Sequence, residues 1–323
     1  MILAGDIGGT KSNLGLFDVQ GNALVRVAHK RYASHEHSGL HEIAQDFLRQ
    51  TSAQVTAAAF GIAGPILNNR VTAANLPWTV DAAEMAKFLR LPRARLLNDL
   101  QATAYGVGVL GPGDVETIVP GVPVQNATRA VIAAGTGLGE SILYWDGTQY
   151  VAMPSEAGHA DFAPNTDQQA DLWKYLKKTN DFVFQELILS GRGFQHLHEF
   201  LDPSVRHPGF DGQQLDIDPA VEITQLAMAG SCPICVATVN LWVEIYGSEA
   251  GNLALRAVAR GGIYVAGGIA VKILVKIKDG GFAAAMQRRP NAGGFALKDV
   301  PVYVILDEEC PLKGAAYAAW KLS

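Results

Sequence analysis

The stretch "ILAGDIGGTKSNLGLFDVQG", residues 2–21, contains an apolar strand, a glycine-rich turn and a second apolar strand that ends at a Gln-Gly turn. The stretch "VIAAGTGLGESILYWDG", residues 131–147, repeats this order. The two glycine loops start at Gly5 and Gly135, so 135 minus 5 gives a spacing of 130 residues. Two apolar runs around a short glycine loop indicate a β-hairpin. A duplicated hairpin predicts two similar half-molecules that face one ligand.

The chain around these hairpins alternates strand and helix patterns. A third strand, "ALVRVAHKRY", completes a predicted β-meander. Helices follow in "GLHEIAQDFLRQ", "DAAEMAKFLRL" and "PLKGAAYAAWKL", and strands in "VTAAAFGIAG", "ARLLND", "GIYVAGGIA" and "VPVYVIL". We predict amphipathic helices in "DPAVEITQLAMAG" and "CPICVATVNLWVEIYGSEAGNLALRAVA". This alternation predicts an α/β fold with a mixed sheet and helices on both of its faces.

Length and composition limit the classes of protein. The chain has 323 residues, 49% of them hydrophobic, which predicts two domains with large cores. We place a small domain at residues 1–109 plus 300–323 and a large domain at 110–299. With 26 basic and 31 acidic residues the net charge is −5, and no basic run offers a nucleic-acid footprint. No signal peptide or membrane span is visible, and three cysteines favour a reduced compartment, so we expect a cytoplasmic protein.

The first glycine loop, "GDIGGT" at residues 5–10, has two interpretations. Glycine exposes backbone N–H groups that form an anion-binding concavity, Thr10 adds a hydroxyl, and Asp6 can orient water on a magnesium ion. The alternative is a tight hairpin without a ligand. The triphosphate tail of a nucleotide is the ligand that the first interpretation predicts.

The second loop, "GTGLGE" at 135–140, resembles a dinucleotide fingerprint but ends in Glu140. That fingerprint requires a following helix, whereas "SILYWDGTQYVAM" alternates and turns at Asp-Gly. Hydride transfer is therefore disfavoured. A third glycine pair in "VAGGIA" follows a strand and is a weak signal for a nucleotide base or ribose.

In "LLNDLQATAYG", residues 96–106, Asn98 and Asp99 stand between a strand and a helix pattern. Asn and Asp cap helices by accepting bonds from the first free N–H groups. The alternative is a polar pair at the carboxyl end of a strand, where open α/β sheets bind ligands. Both interpretations remain open at this point.

The cysteine pair and the histidine-rich segment are interpreted as structural residues rather than as metal ligands or redox groups. Cys232 and Cys235 in "SCPIC" have the spacing of a zinc half-site or a redox pair, but no second Cys or His pair follows nearby in the sequence. The histidines of "HKRYASHEHSGLHE" have no partner motif and fit a solvated loop and helix start.

Seven segments together resemble the bacterial glucokinase family of the actin-like ATPase superfamily, in order from residue 2 to about 318. They are "GDIGGTKSNLGLFD", "LLNDLQATAYG", "AAGTGLGESILYWDG", "SEAGHADFAP", "ELILSGRG", "VAGGIA" and "LKGAAY". The resemblance implies a two-domain actin-like (ribonuclease H-like) fold with a cleft between the domains. It also implies transfer of the γ-phosphoryl group of ATP to the 6-hydroxyl of glucose.

The resemblance assigns roles to matching residues. Asp99 would be the general base, and the sugar hydroxyls would be bound by Asn98, Asp99, Glu156, His159 and Glu186. Asn75 of "ANLPW" would approach the sugar. The nucleotide would be held by Gly5, Asp6, Ile7, Gly8, Gly9, Thr10, Gly135, Thr136, Gly137, Gly267 and Gly268, with Asp6 near the magnesium ion.

The departures from the family are few. Lys11 stands where this subgroup often has Asn. The related repressor and kinase family carries a cysteine-rich zinc motif after its histidine segment, but "HADFAPNTDQQADLW" has no cysteine, so we expect no zinc. The resemblance also implies a homodimer and a role in glycolysis. Charge and composition predict no nucleic-acid or membrane partner.

Three rival functions share some of these features. A kinase for another hexose or an acetamido-sugar would use the same machinery. A sugar-sensing regulator would carry a helix-turn-helix before the first glycine loop, which here starts at residue 5. An actin-like filament or chaperone ATPase would not need the cluster that binds hydroxyls.

Overall fold

The computed structural model describes residues 1–21, 23–74, 76–205, 218–289 and 295–321. Its strands are β1 (Ile2–Ile7), β2 (Lys11–Gln20), β3 (Ala23–Ala33), β4 (Ala57–Ile62), β5 (Arg70–Thr72), β6 (Thr79–Asp81), β7 (Arg95–Asn98), β8 (Val115–Val119), β9 (Arg129–Ala134), β10 (Leu138–Trp145), β11 (Tyr150–Pro154), β12 (Ile263–Ala266) and β13 (Val302–Ile305). Its helices are α1 (Leu40–Thr51), α2 (Ala82–Leu89), α3 (Asp99–Gly106), α4 (Asp167–Lys177), α5 (Gly191–Leu201), α6 (Pro219–Ala229), α7 (Pro233–Ala257), α8 (Gly268–Lys272), α9 (Leu274–Ile277), α10 (Gly281–Gln287) and α11 (Cys310–Lys321).

Backbone contacts divide the chain into two compact units. Unit 1 comprises Met1–Val115, Ser141–Pro154 and Asp307–Ser323, and unit 2 comprises Glu116–Glu140 and Ser155–Leu306. These units are sets of mutually contacting residues, and the domain boundaries drawn from the sequence stay a prediction.

Unit 1 contains a mixed five-stranded sheet in the order β3-β2-β1-β4-β7. Strands β1, β2 and β3 pair antiparallel, as the predicted meander requires, while β1, β4 and β7 run parallel. Successive β1 side chains point to opposite faces of the sheet, and both faces are covered. Leu3 packs in the cluster that includes α1, and Ala4 packs in the cluster that includes α11. The prediction of helices on both faces is confirmed for this sheet.

The second large sheet has the order β11-β10-β9-β12-β13-β8. Strands β9, β12 and β13 are parallel, and β10 and β11 form an antiparallel hairpin. The chain therefore continues from the second glycine loop into a strand and not into a helix, as predicted. Strand β10 passes from unit 2 into unit 1 after Glu140.

Helix α7 forms where the sequence predicts a helix, but it is not amphipathic. Most of its 25 residues are buried, and the side chains of Trp242 and Tyr246 are wholly inaccessible. The reason is that α7 packs against α5, α6 and α10, so little of its surface is left for water. A helix buried on most sides carries no single apolar stripe.

Among the described residues no single helix is both long and apolar enough to cross a membrane; α6 and α7 together reach that length and composition, with a bend of 102° between them.

A cluster of ionisable side chains, two of them buried glutamates, fixes the end of the second glycine loop against α7. Arg256 places Nη2 at 2.7 Å from Glu249 Oε1 and Nη1 at 3.5 Å from Glu140 Oε2. Gln185 Nε2 donates to Glu249 Oε2 at 2.8 Å. Glu140 and Glu249 are each 1% exposed. Burial raises the pKa of Glu140 from 4.5 to about 8, the Glu249 carboxylate adds to the rise, and Arg256 opposes it.

This pKa predicts a pH-dependent effect of Glu140→Gln. Below about pH 4.5 the carboxyl is protonated in both the folded and the unfolded chain; above it, the unfolded chain releases the proton that the folded chain retains. Wild-type stability is therefore lost as pH rises towards 8, and the neutral variant does not share this loss. We expect the melting temperature of Glu140→Gln, relative to wild type, to be higher at pH 8.5 than at pH 5. Glu308→Gln, at an exposed position, is the control. A difference that is independent of pH would contradict the shift.

Candidate active site

The first glycine loop lies at the tip of the β1–β2 hairpin and is held from below by Ser34. Gly8 N–H donates to Lys11 O at 3.0 Å, which closes the turn. The buried Ser34 donates its hydroxyl to Gly8 O at 2.7 Å and its backbone N–H to Thr10 O at 3.0 Å. Sequence reasoning missed Ser34, because a lone serine after a strand carries no signal of a partner 26 residues earlier.

Asp6 lies in β1 next to this loop and is partly buried. Asn13 Nδ2 donates to Asp6 Oδ2 at 3.2 Å, and Arg31 Nε donates to Asn13 Oδ1 at 3.0 Å. Burial raises the pKa of Asp6, the Asn13 amide opposes that rise, and repulsion from the Asp99 carboxylate adds to it. The Asp6 carboxylate supplies hard oxygen acceptors for a magnesium ion or its bound water, and the Asp99 carboxylate adds negative charge that attracts a cation. The residues present therefore fit the predicted magnesium site.

Asn98 and Asp99 stand at the carboxyl end of β7, where α3 begins. Asn98 Oδ1 accepts the N–H of Leu100 at 3.0 Å, and Gln101 Oε1 accepts the N–H of Asn98 at 3.2 Å, which is a capping box. Asn98 Nδ2 donates to Gly64 O at 3.3 Å. The helix-cap interpretation is thus confirmed. The other interpretation, a ligand-binding polar pair at the carboxyl end of a parallel strand, stays a prediction.

Gly61 in β4 sets how closely α3 approaches the sheet. A Cβ at this position would lie 2.7 Å from Ala102 Cβ and 4.0 Å from Asp99 Cα. Strand β4 lies between β1 and β7, so Gly61 separates Asp6 from Asp99 by one strand without a side chain in between. The small residue lets both carboxylates occupy one edge of the sheet.

The second glycine loop is tied to Glu186. The turn closes with Gly135 N–H donating to Gly137 O at 2.8 Å. Leu138 N–H donates to Glu186 Oε2, also at 2.8 Å. A Cβ at Gly137 would collide with the Glu186 carboxylate. Glu186, which the resemblance assigns to the sugar, therefore also positions the loop assigned to phosphate.

The "SEAGH" segment brings Glu156 and His159 together on the surface of unit 2. Glu156 Oε2 lies 3.9 Å from His159 Nδ1, and their side chains are 68% and 62% exposed. The imidazole stacks on the Phe184 ring, with 5.5 Å between centroids. Phe184 precedes Glu186 by two residues, so the stack places the His159 backbone segment beside the one that carries Glu186. These exposed polar groups are accessible to a ligand.

A cavity of about 270 Å³ lies within unit 2 between the second glycine loop, α5, α6 and α8. Its lining includes three residues that the sequence assigned to the nucleotide, namely Gly135, Thr136 and Gly268. Gly267 has φ +91°, and a Cβ there would collide with the Ala134 carbonyl. The sequence did not single out the α6 wall, including Thr224, because "DPAVEITQLAMAG" carries no binding motif.

The predicted residues thus form two groups. Unit 1 holds residues 5–10 with Asn98 and Asp99, and unit 2 holds Glu156, His159, Glu186, residues 135–137, Gly267 and Gly268. Asn75 lies outside the described residues. Each group by itself contains polar side chains that can bind hydroxyls and a glycine loop whose N–H groups can bind an anion.

Two alanine substitutions in the second loop test the tie to Glu186. Gly137→Ala displaces the Glu186 carboxylate and leaves Leu138 N–H without its charged acceptor, so we expect a loss of about 1–3 kcal/mol in unfolding free energy. Gly135→Ala is the matched control, since no atom lies within 4 Å of its Cβ position; we expect a change of about 0.5 kcal/mol or less. Chemical denaturation measures both. Equal losses for the two variants would mean that the tie contributes nothing.

Comparison with solved structures places the fold among sugar kinases. A glucokinase from an Antarctic psychrotroph superposes with a TM-score of 0.88 at 28% identity, covering 99% of this chain and 98% of that one. A ROK family glucokinase from Streptomyces griseus, solved in complex with glucose and AMPPNP, superposes with a TM-score of 0.64 at 20% identity, covering 99% of each chain. The chain has the two-domain actin-like ATPase fold of these proteins.

Sequence comparison identifies the family. The glucokinase family model matches residues 3–322. The glucokinase of Trichormus variabilis is 36% identical, over 100% of this chain and 99% of that protein. The glucokinase of Cronobacter sakazakii is 32% identical, over 97% and 95% respectively. The chain belongs to the glucokinase family.

Proposed function

We propose that Asp99 is the general base with which this chain transfers the γ-phosphoryl group of ATP to the 6-hydroxyl of glucose, giving glucose 6-phosphate and ADP. Membership of the glucokinase family supports the substrates and the reaction. The observation that carries the residue assignment is the position of Asp99. It opens α3 at the carboxyl end of a parallel strand, near enough to Asp6 for the two carboxylates to repel one another.

The rate of phosphoryl transfer depends less on the basicity of Asp99 than on the alignment of the reacting groups. The attacking hydroxyl loses its proton as it bonds to phosphorus, and a carboxylate at hydrogen-bond distance accepts that proton. Since the phosphoryl transition state is loose, alignment and charge stabilisation contribute most of the rate. The capping box and the close packing at Gly61 hold Asp99 on a rigid helix start, which serves alignment.

The sugar hydroxyls require both donors and acceptors. We assign the acceptor roles to Glu156 and to Oε1 of Glu186, whose Oε2 already holds Leu138 N–H. Asn98 Nδ2 and His159 act as donors. A site that bonds each hydroxyl rejects analogues that lack one, because a buried polar group then loses its partner. Epimers of glucose are therefore expected to be poor substrates.

ATP is proposed to lie with its phosphates on the glycine loops at residues 5–10 and 135–137 and its adenosine in the cavity lined by Gly268 and Thr224. Backbone N–H groups of such loops bind phosphate oxygens. A bound magnesium ion would neutralise phosphate charge, and Asp6 would hold it through water. The proposed step uses no zinc.

Asp99→Asn tests the base directly. The amide keeps the shape of the side chain but cannot accept the hydroxyl proton. We expect the kcat for glucose phosphorylation to fall at least ~10²-fold, with the melting temperature retained. Asp18→Asn, at an exposed position on β2, is the matched control and keeps the wild-type kcat. Wild-type turnover by Asp99→Asn would remove Asp99 from this role.

The alternative function is a kinase for another hexose or an acetamido-sugar, which the same carboxylate geometry would serve. A coupled assay with ATP and magnesium compares glucose, fructose, mannose, galactose and N-acetylglucosamine. Preference for a sugar other than glucose would favour the alternative, and binding of sugar without turnover by wild type would favour a sensor.

Gly268→Leu tests the adenosine position. No atom lies within 4 Å of the Gly268 Cβ position, which borders the cavity, so the leucine side chain enters open space rather than the core. We expect the KM for ATP to rise about tenfold or more, which is a loss of about 1.4 kcal/mol, while the KM for glucose changes little. Gly113→Leu, also in open space but in the turn before β8, is the control. An unchanged KM for ATP would place the adenosine elsewhere.

We further propose that the chain works as a cytoplasmic homodimer in glycolysis, with no nucleic-acid or membrane partner, and that its domains are residues 1–109 with 300–323, and 110–299. These statements rest on composition and on family resemblance.

A further inference from the structure

Three side chains that carry soft metal ligands meet between α5 and α7. Cys232 caps the N-terminus of α7, and its Sγ accepts the Cys235 N–H at 3.1 Å. His198, in the last turn of α5, places Nε2 at 3.8 Å from Cys235 Sγ. The two sulfurs and the imidazole nitrogen all lie within 4.8 Å of one another. His198 is 37 residues from Cys235 in sequence, which is why the pair looked incomplete there.

We infer that His198, Cys232 and Cys235 form a structural zinc site with three protein ligands and one solvent ligand. Zinc bonds of about 2.3 Å to sulfur and about 2.05 Å to nitrogen, at a tetrahedral angle, place sulfur and nitrogen about 3.6 Å apart. The observed 3.8 Å between Nε2 and Sγ matches this spacing with little adjustment. The inference replaces the expectation of no zinc, which rested on the segment after "SEAGH" and on the lack of a second Cys or His pair near Cys232 and Cys235 in the sequence.

Two of the three proposed ligands are buried, which favours a specific zinc site over chance proximity of side chains at the surface. Cys235 is 2% exposed and His198 9%, whereas Cys232 is partly exposed. The ion would therefore enter from the Cys232 side and be enclosed by protein on the other. Two thiolates and an imidazole are soft and borderline ligands, which select zinc over magnesium or calcium.

Asp202 is a neighbour of the site and not a fourth ligand. It interacts electrostatically with both His198 and Cys232. Its Oδ1 accepts the N–H and the hydroxyl of Ser204, at 3.1 and 2.6 Å. Its oxygens are not among the ligand atoms that lie within 4.8 Å of one another. The described residues offer no fourth ligand atom within this distance, so we take solvent as the fourth ligand of the proposed site.

The proposed zinc site lies next to the helices that line the cavity proposed for adenosine. Phe194, one turn before His198 on α5, and Thr224 on α6 both line the cavity proposed for adenosine. Helix α7 follows α6 after a short turn. An ion bound to His198 and the two cysteines would link the end of α5 to the start of α7 and so stabilise the helices around that cavity. This effect on stability does not depend on the proposed catalytic roles.

The test uses the full-length chain, purified with a reductant, stripped with a chelator and dialysed against excess zinc chloride before the bound metal is measured. We expect one zinc per chain for wild type and for Cys310→Ser, whose buried thiol bonds Thr103 O and lies outside the cluster. We expect at least ~10-fold weaker zinc binding by Cys232→Ser in competition with a chromophoric chelator. Zinc is also expected to raise the melting temperature of wild type but not of Cys232→Ser.

Cobalt(II) provides a second readout that does not require a variant to fold. Cobalt bound to wild type should give a thiolate charge-transfer band and the intense visible bands of tetrahedral coordination. The inference is overturned if wild type binds less than stoichiometric zinc, if Cys232→Ser binds zinc as tightly as wild type, or if bound cobalt lacks the thiolate band.

Discussion

The bond from Leu138 N–H to the Glu186 carboxylate fixes the second glycine loop of unit 2 against the segment that carries Glu186. It joins the second glycine loop to the "ELILSGRG" segment, and a side chain at position 137 would displace the same carboxylate. A charge-assisted bond to a backbone N–H is stronger and more directional than a neutral one. This contact thus couples the position of a proposed phosphate loop to that of a proposed sugar ligand.

The glycine loop of unit 1 is also held by a side chain from a distant segment, but that side chain is uncharged. The loop rests on Ser34, whose hydroxyl and N–H bind two carbonyls of the loop, so the support there is neutral. The acidic groups of unit 1 instead stand beside the loop, where Asp6 and Asp99 repel one another. Carboxylates that repel each other are costly unless a cation approaches. Each unit thus contains a glycine loop after a strand, but the carboxylates beside the two loops differ in role. In unit 2 the Glu186 carboxylate holds the loop, whereas in unit 1 the Asp6 and Asp99 carboxylates favour the approach of a cation.

Local patterns predicted what depends on neighbours in sequence. The meander, the parallel strands, the hairpin after "GTGLGE" and the helix start at Asp99 all follow from apolar periodicity and turn residues. The sequence did not reveal Ser34 beneath the first loop, the Glu140–Glu249–Arg256 cluster or the approach of His198 to the cysteine pair. Each of these joins residues that are distant in sequence, and their spacing has no period that a local pattern detects.

The helix cap in "LLNDLQATAYG" uses both residues of the polar pair, since Asn98 Oδ1 and Asp99 Oδ1 each accept the N–H of Leu100, and ligand binding by the pair stays a prediction. Capping occupies Asn98 Oδ1, and the amide nitrogen is directed to Gly64 O, so Asn98 is immobilised before any ligand arrives. Asn98 adjoins the proposed base, so fixing Asn98 also restrains Asp99. The conformational entropy of Asp99 is then lost on folding rather than on substrate binding. The helix cap, which by itself suggests only local stability, is thus the element that holds the proposed base in place.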